Sequence, residues 1–277
     1  EEDIRHDHFR PAGEARLKAI MGADGYPVFL RHIYTDIGFN QDQAAAFIPY
    51  AIPNQRIGRV THAVNVPLGY WRSVEHSYQG FFIESFVDEL AHNAGTDPLA
   101  YRLRLLAQAP RFQRALQRAA DLIGWDKATP TGNGKGIAVK ESFGTIVAEA
   151  AEVAITAAGT IKVLRICAAV DAGEIVHPDN ARAQVEGGIL FGLGAALKGR
   201  ISLSNGRVEQ GNFDDYQVLT MAEAPEIEIE FLDSDTPMGG IGEVGVPTVA
   251  PAVCNAIFAT SGVRIRRLPI LGQALIS

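Results

Sequence analysis

The sequence predicts an α+β fold of mixed sheets with packed helices. Helices are concentrated in residues 1–128 and strands in residues 129–277, the two parts packed as one body. Three observations predict it. Apolar residues recur at helical spacing through residues 78–94 and again through 110–123. A glycine-rich stretch, Thr129-Pro130-Thr131-Gly132-Asn133-Gly134-Lys135-Gly136, then gives way to β-branched runs separated by turn residues. Farther on, Ile227, Ile229 and Phe231 alternate with Glu226, Glu228 and Glu230, the two-residue period of a strand with one face in water.

In chain order, residues 28–34 and 56–66 carry the β-branched and aromatic residues of strands, the first preceded by turn chemistry at Asp24-Gly25-Tyr26-Pro27. Pro67-Leu68-Gly69-Tyr70-Trp71-Arg72-Ser73 forms an irregular link. In the helix over 78–94, Phe82, Phe86 and Leu90 form one stripe, with Ile83, Val87, Ala91 and Ala94 beside it. Gly95 ends that helix, and Asp97-Pro98 opens a short one as N-cap and first-turn proline. The next, over 110–123, turns its arginines outward. Strands follow over 136–143, 146–156 and 161–170, the last two joined through Ala157-Ala158-Gly159.

His177-Pro178-Asp179 prepares a helix over 180–197 that carries Gly187, Gly188, Gly192 and Gly194, each costing roughly 1 kcal/mol relative to Ala. Glycines there are expected where another surface comes very close, either a ligand or a packed element. A final helix follows Thr248, ends at Gly262, and leads to a last basic strand over 263–270.

Bulk properties exclude several functions. With 277 residues, 47% of them apolar, the chain can bury a substantial core. Its net charge of -7 and lack of a basic run argue against nucleic acid and anionic membrane surfaces, and no apolar run has the length of a membrane span. Cys167 and Cys254 stand far apart, so neither a disulfide framework nor a C-x-x-C metal site is expected, and any iron-sulfur cluster belongs on another chain. The start, with His6 and His8 in a hydrophilic run and no initiator Met, reads as that of a processed or truncated piece; no role is assigned to its histidines.

The chemistry is expected at Gly239-Gly240-Ile241-Gly242-Glu243-Val244-Gly245. Its four glycines let the backbone approach another molecule closely, and Glu243 is the last acidic side chain of the sequence, just ahead of an apolar stretch. Burial there would raise its pKa and suit it to proton abstraction. A glycine-rich connection with an outward Glu is the plain alternative. The stretch also matches G-x-G-x-x-G, but the preceding strand ends too early, Pro247 and Pro251 crowd the helix start, and no acidic ribose partner follows.

Taken together, Tyr70-Trp71-Arg72-Ser73-Val74, Phe82-Ile83-Glu84-Ser85-Phe86-Val87-Asp88-Glu89-Leu90-Ala91, Ala183-Gln184-Val185-Glu186-Gly187-Gly188, Asn212-Phe213-Asp214-Asp215-Tyr216 and the Glu243 loop with Ala250-Pro251-Ala252 and Asn255-Ala256 run in a recognisable order. The chain resembles the carboxy-terminal part of the molybdenum-binding subunit of xanthine oxidase type molybdenum hydroxylases. The nearest branch is that of the isoquinoline 1-oxidoreductase β subunit and its aldehyde-oxidising relatives.

The resemblance implies a molybdopterin cofactor with Mo, in its plain or cytosine dinucleotide form, no protein ligand to the metal, and iron-sulfur clusters only on a partner. It places the catalytic glutamate at Glu243, a substrate-side arginine at Arg72 and a pterin-contacting glutamine at Gln184, with Gly240 and Gly242 letting the loop approach the metal centre. The base would take a proton from the hydroxyl that attacks an electron-poor carbon, and the cofactor would carry the redox chemistry. Partners implied are the amino-terminal half of the molybdenum subunit, a small iron-sulfur subunit, and an aldehyde or N-heterocycle substrate. Val244, Glu75 and His177 stand where proline, glycine and asparagine are frequent in that family. A non-catalytic assembly or scaffold subunit of the same fold is the competing class, and a dinucleotide-binding domain using Gly240, Gly242 and Gly245 a third.

Overall fold

A computed structural model describes residues 2–37 and 46–276 of the chain. After a single turn of helix, α1 (Glu2–Arg5), strands β1 (Gly13–Met21), β2 (Pro27–Asp36) and β3 (Asn54–Thr61) form a sheet in which β1 and β2 are antiparallel and β2 and β3 parallel. The sequence reading had missed β1. Its signal was the alternation of Ala15, Leu17 and Ala19, half-buried, with exposed Glu14, Arg16 and Lys18.

Three helices follow: α2 (Val74–Asn93), α3 (Pro98–Leu105) and α4 (Pro110–Ile123). Asp97 caps α3 by accepting from the Ala100 amide at 2.9 Å. A second sheet then takes β4 (Asn133–Ser142), β5 (Thr145–Ile155) and β6 (Ile161–Asp171) as an antiparallel meander. The chain continues through α5 (Pro178–Leu197), a small hairpin of β7 (Leu203–Ser204) and β8 (Arg207–Val208), β9 (Glu226–Phe231), which joins the second sheet parallel to β6, and α6 (Val249–Ser261). The glycine-rich linker ends at Gly132, because β4 already begins at Asn133.

The second sheet is covered on both faces. Ile137, Val139, Ile146, Ala148 and Ala150 share a core with Val87, Leu116 and Ala119 of the early helices. Ala138, Val147 and Ala151, one position over, meet Ile189 of α5 and Val253 of α6. Two-sided burial explains why β4 and β5 are apolar throughout rather than alternating. It also gives the early helices and the second sheet a shared core.

Glycine lets α6 lie directly on β4. A Cβ at Gly136 would overlap the Ala256 amide and the Ala252 carbonyl, and no side chain fits between them.

Two expectations are corrected. In α2 the buried stripe is Ile83, Glu84, Val87, Asp88 and Ala91, while Phe82 and Phe86 are only half-buried. Arg102 of α3 accounts for the two acids: its Nε donates to Glu84 at 3.0 Å and Nη1 lies 3.5 Å from Asp88, all three side chains being buried. Tyr50 donates to the same Glu84 carboxylate at 2.7 Å. Burial opposes the Arg102 charge, but Glu84, Tyr50 and Asp88 outweigh it and hold the guanidinium pKa above its ordinary value.

The strand expected over 263–270 does not form. That segment is fastened by side chains, Arg264 to Asp88 and Arg266 to Glu89, each at 2.6 Å, and Pro269 contributes no N–H to a ladder. Nor is a nucleotide-binding crest built: β9 ends at Phe231, well before Gly240, and α6 begins only at Val249.

Candidate active site

Arg72 brings together three stretches that are far apart in sequence. Its Nε donates to the carbonyl oxygen of Gly242 at 2.8 Å, and its Nη2 to Oε1 of Gln184 at 2.9 Å and to the Gln184 carbonyl at 3.1 Å. A planar guanidinium has the fixed fork that such a double grip needs. Gly187, one turn on from Gln184, lies beside it, and an added Cβ would make an ordinary contact of 3.6 Å with Nη1.

The turn after Arg72 is strained. Ser73 and Val74 both have positive φ, 77° and 41°, a region that β-branched residues rarely enter and that costs on the order of 1 to 3 kcal/mol each. Val74 N donates to Trp71 O at 2.8 Å, closing the turn that starts α2. Beside it the Trp71 ring packs against Phe191 of α5, centroids 4.8 Å apart, with the Arg10 guanidinium over its face.

The glycines of the loop divide by role. Gly240 is tied to the tip of the β4–β5 hairpin, its N–H donating to Phe143 O at 2.8 Å and its carbonyl accepting from Thr145 Oγ1 at 2.6 Å. Gly245 packs on α5, where an added Cβ would run into Val185 O, and Gly188 meets Gly245 from the other side. Gly192 likewise faces Val246 and Val249. Close packing between α5 and the loop therefore accounts for Gly188 and Gly192. Gly242 is different: the nearest atom to an added Cβ is Gln184 Oε1 at 4.0 Å, so its outer face is open.

Glu243 follows that open glycine. It was expected to be buried among the apolar residues after it, but Val244, Val246 and Val249 turn into the core while Glu243 itself is only half-buried. Among the described residues its carboxylate has no hydrogen bond or ion pair. Besides Glu84 and Asp88, another carboxyl is buried: Glu149 on β5 is fully enclosed, and burial pushes its pKa well above the ordinary value, against a smaller opposite pull from the Thr248 hydroxyl. Sequence reasoning passed over Glu149, whose signal was a lone acid on the inward side of an apolar strand between Val147 and Ala151. It also passed over Phe143 and Thr145.

The other sequence candidates are placed plainly. His177 caps α5 by accepting from Asn180 N through Nδ1 at 3.3 Å. Asp215 folds its own loop, accepting from the Gly211 amide at 2.9 Å and the Asn212 amide at 3.0 Å, and these backbone N–H groups lower its pKa. Both act within the chain rather than toward the Arg72 cluster.

The residues around Arg72 fit a pterin-held molybdenum group. Fixing Oε1 of Gln184 on Arg72 turns its amide nitrogen outward as a donor on an exposed part of α5, the Gly242 backbone is approachable, and Glu243 offers a free carboxylate. Such a group carries its own sulfur ligands, so the site needs no His or Cys cluster.

Comparison with known proteins identifies the family. Residues 77–225 match the family model described as the molybdopterin cofactor-binding domain. The chain is 30% identical to isoquinoline 1-oxidoreductase subunit beta of Brevundimonas diminuta, an alignment covering 98% of this chain and 37% of that protein. It is 34% identical to a membrane-bound aldehyde dehydrogenase [pyrroloquinoline-quinone] of Gluconacetobacter polyoxogenes over 73% of this chain and 29% of that one. The fold superposes on the crystal structure of quinoline 2-oxidoreductase from Pseudomonas putida 86 with a TM-score of 0.86 at 12% identity, covering 97% of this chain and 62% of that chain. The chain thus spans 37% and 29% of the length of these two curated relatives. Motif order, fold and sequence identity agree, and the chain belongs to the molybdopterin cofactor-binding domain family, among the molybdenum-binding subunits of the xanthine oxidase type.

Proposed function

We propose that this chain forms the part of a molybdenum hydroxylase that carries its general base, Glu243, and that the whole enzyme oxidises an aldehyde or an N-heteroaromatic substrate with water as the oxygen source. The observation that carries the reading is the Arg72 grip on Gly242 and Gln184, which ties the peptide immediately before Glu243 to the Gln184 side chain. When bound, the molybdenum pterin, plain or as its cytosine dinucleotide, supplies the two-electron oxidation, and electrons leave through an iron-sulfur partner subunit.

The residues of this chain do the rest. Gln184 holds the pterin through its amide N–H groups, and Gly242 keeps the loop close to it. A Glu243 carboxylate oxygen accepts the proton of the attacking hydroxyl as the new carbon–oxygen bond forms. Arg72 has committed Nε and Nη2 to the loop and to α5, so Nη1 is the nitrogen it presents toward a substrate oxygen or ring nitrogen. The names of the relatives, an isoquinoline oxidoreductase and an aldehyde dehydrogenase, support both substrate classes alike. Completion of the site by the remaining part of the molybdenum subunit rests on the share of those proteins that this chain spans.

The test is Glu243→Gln in the complete enzyme, measured as turnover per bound molybdenum. Gln keeps the size and cannot take the proton, so the expected loss is about 100- to 10,000-fold with molybdenum content unchanged. Near-normal turnover per metal removes Glu243 from the mechanism. An assembly that folds and holds neither molybdenum nor pterin supports the scaffold alternative.

A further inference from the structure

We infer that the tip of the β4–β5 hairpin is the rest against which the Glu243 loop is set, and that Thr145 is a positioning residue for proton transfer. The inference builds on the reading of Glu243 as base. Ser142 pairs with Thr145, leaving Phe143 and Gly144 as a two-residue turn. Both have positive φ, 54° and 81°, the geometry of the tight hairpin turn whose twist matches that of the strands. Gly144 takes that conformation freely. Phe143 does not, since Asn, Asp or Gly would suit its position far better.

A bulky residue held there implies that its contacts matter to the loop. The Phe143 ring packs against His76 of α2 with centroids 5.0 Å apart, and a Cβ added at Gly240 would come within 2.9 Å of Phe143 Cβ. At Gly239 an added Cβ would overlap Thr145 Oγ1 and reach 2.8 Å from the carbonyl carbon of Gly144. Gly239 and Gly240 are thus glycines because the hairpin tip lies directly on them, which is a reason internal to the chain.

The hydrogen bonds make this contact directional. Gly239 N donates to Ala172 O at 2.9 Å, just past the end of β6, and Gly240 N donates to Phe143 O. Thr145 is fully buried, and its hydroxyl donates to Gly240 O. Two residues later Arg72 takes the Gly242 carbonyl. The loop is therefore pinned at 239, 240 and 242, and Glu243 is the first residue beyond the last pin. Among the described residues, Thr145 supplies the side-chain hydrogen bond from the hairpin end to the loop, while Glu141 accepts from the Gly144 amide within the hairpin itself. Gly240 is exposed, so its carbonyl can be taken over by water when that hydroxyl is lost. The fold then survives while the loop loosens.

The experiment uses the complete enzyme with Thr145→Val, which keeps the branched shape, Thr145→Ser, which keeps the hydroxyl, and Glu243→Gln in parallel. A misplacement of about 1 Å at a reacting group can cost as much as 100-fold. The expected result for Thr145→Val is a loss of kcat per molybdenum of about 10- to 100-fold with KM and molybdenum content near the starting values. Thr145→Ser should restore at least half of kcat. Amide hydrogen exchange over residues 240–246 should be faster in Thr145→Val and unchanged in Thr145→Ser, and this readout does not depend on turnover.

Unchanged exchange and unchanged kcat in Thr145→Val, with Glu243→Gln inactive, overturn the positioning role and leave the base intact. An active Glu243→Gln overturns the base itself. If Thr145→Val fails to fold, Thr145→Ala is measured in the same way, and an Ala variant with unaltered loop exchange overturns the inference equally.

Discussion

Nε of Arg72 and the carbonyl oxygen of Gly242 are 2.8 Å apart across 170 residues of sequence, and this bond fixes the peptide immediately before Glu243. The same guanidinium holds Gln184, so the base and the amide proposed to face the pterin share one anchor. Replacing it by a lysine keeps the charge and loses the fork. We expect Arg72→Lys to lower turnover per molybdenum by about 10- to 100-fold, with a smaller loss of bound pterin, measured by steady-state kinetics on metal-quantified enzyme.

Arg102→Met tests the buried charge network beneath the site. Removing Arg102 leaves Glu84 as a buried acid without its ion-pair partner, while Asp88 keeps Arg264 at 2.6 Å, a change worth roughly 3 to 5 kcal/mol of stability. Denaturant unfolding should show that loss. The double replacement Arg102→Met with Glu84→Gln should recover part of it.

Glu149 gives a pH dependence with a definite sign. Burial holds its folded-state pKa well above the ordinary glutamate value, so the folded chain binds a proton that the unfolded chain releases. That contribution is fully present below the unfolded pKa and is lost as pH rises through the folded one, at about 1.4 kcal/mol per pH unit between them. Glu149→Gln never ionises. Its stability relative to the starting protein should rise with pH above about 4.5, and the two should differ by a constant below it. Unfolding curves at a series of pH values check this, and parallel curves across the range would count against a protonated Glu149.

Gly245→Ala tests the packing of the loop on α5. The new methyl would run into Val185 O and lie 3.2 Å from Ile189 N, both backbone atoms that cannot rotate away. Overpacking of this kind costs about 1 to 3 kcal/mol. A lower melting temperature together with reduced turnover is expected, while Gly262→Ala, where nothing lies within 4 Å but φ is +71°, should affect stability alone.

Local sequence carried a large part of this protein. Helical spacing placed α2 and α4 to within a few residues, the His177-Pro178-Asp179 start placed α5, two-residue alternation placed β9, and turn chemistry separated β5 from β6, because these patterns depend on near neighbours along the chain. The glycine loop and its single glutamate also stood out, and motif order pointed to the family that the comparisons show. What sequence left undecided concerns partners distant in the chain. Nothing near Glu84 or Asp88 announces that Arg102 and Arg264 will meet them and draw two acids into the core. The run over 263–270 has the composition of a strand, yet side-chain anchors on α2 hold it and no ladder forms, an outcome set by tertiary competition.

The site divides in the same way. Residue type marked Glu243, Gln184 and Arg72, since a carboxylate, an amide and a guanidinium are what such chemistry uses. Only the fold decided that Arg72 grips Gly242, that Gly240 rests on a strained hairpin tip, and that Glu149 is fully buried while Glu243 stays half-open. Burial and hydrogen bonding depend on which surfaces meet once the sheet is covered on both faces, and that is a property of the packed chain as a whole.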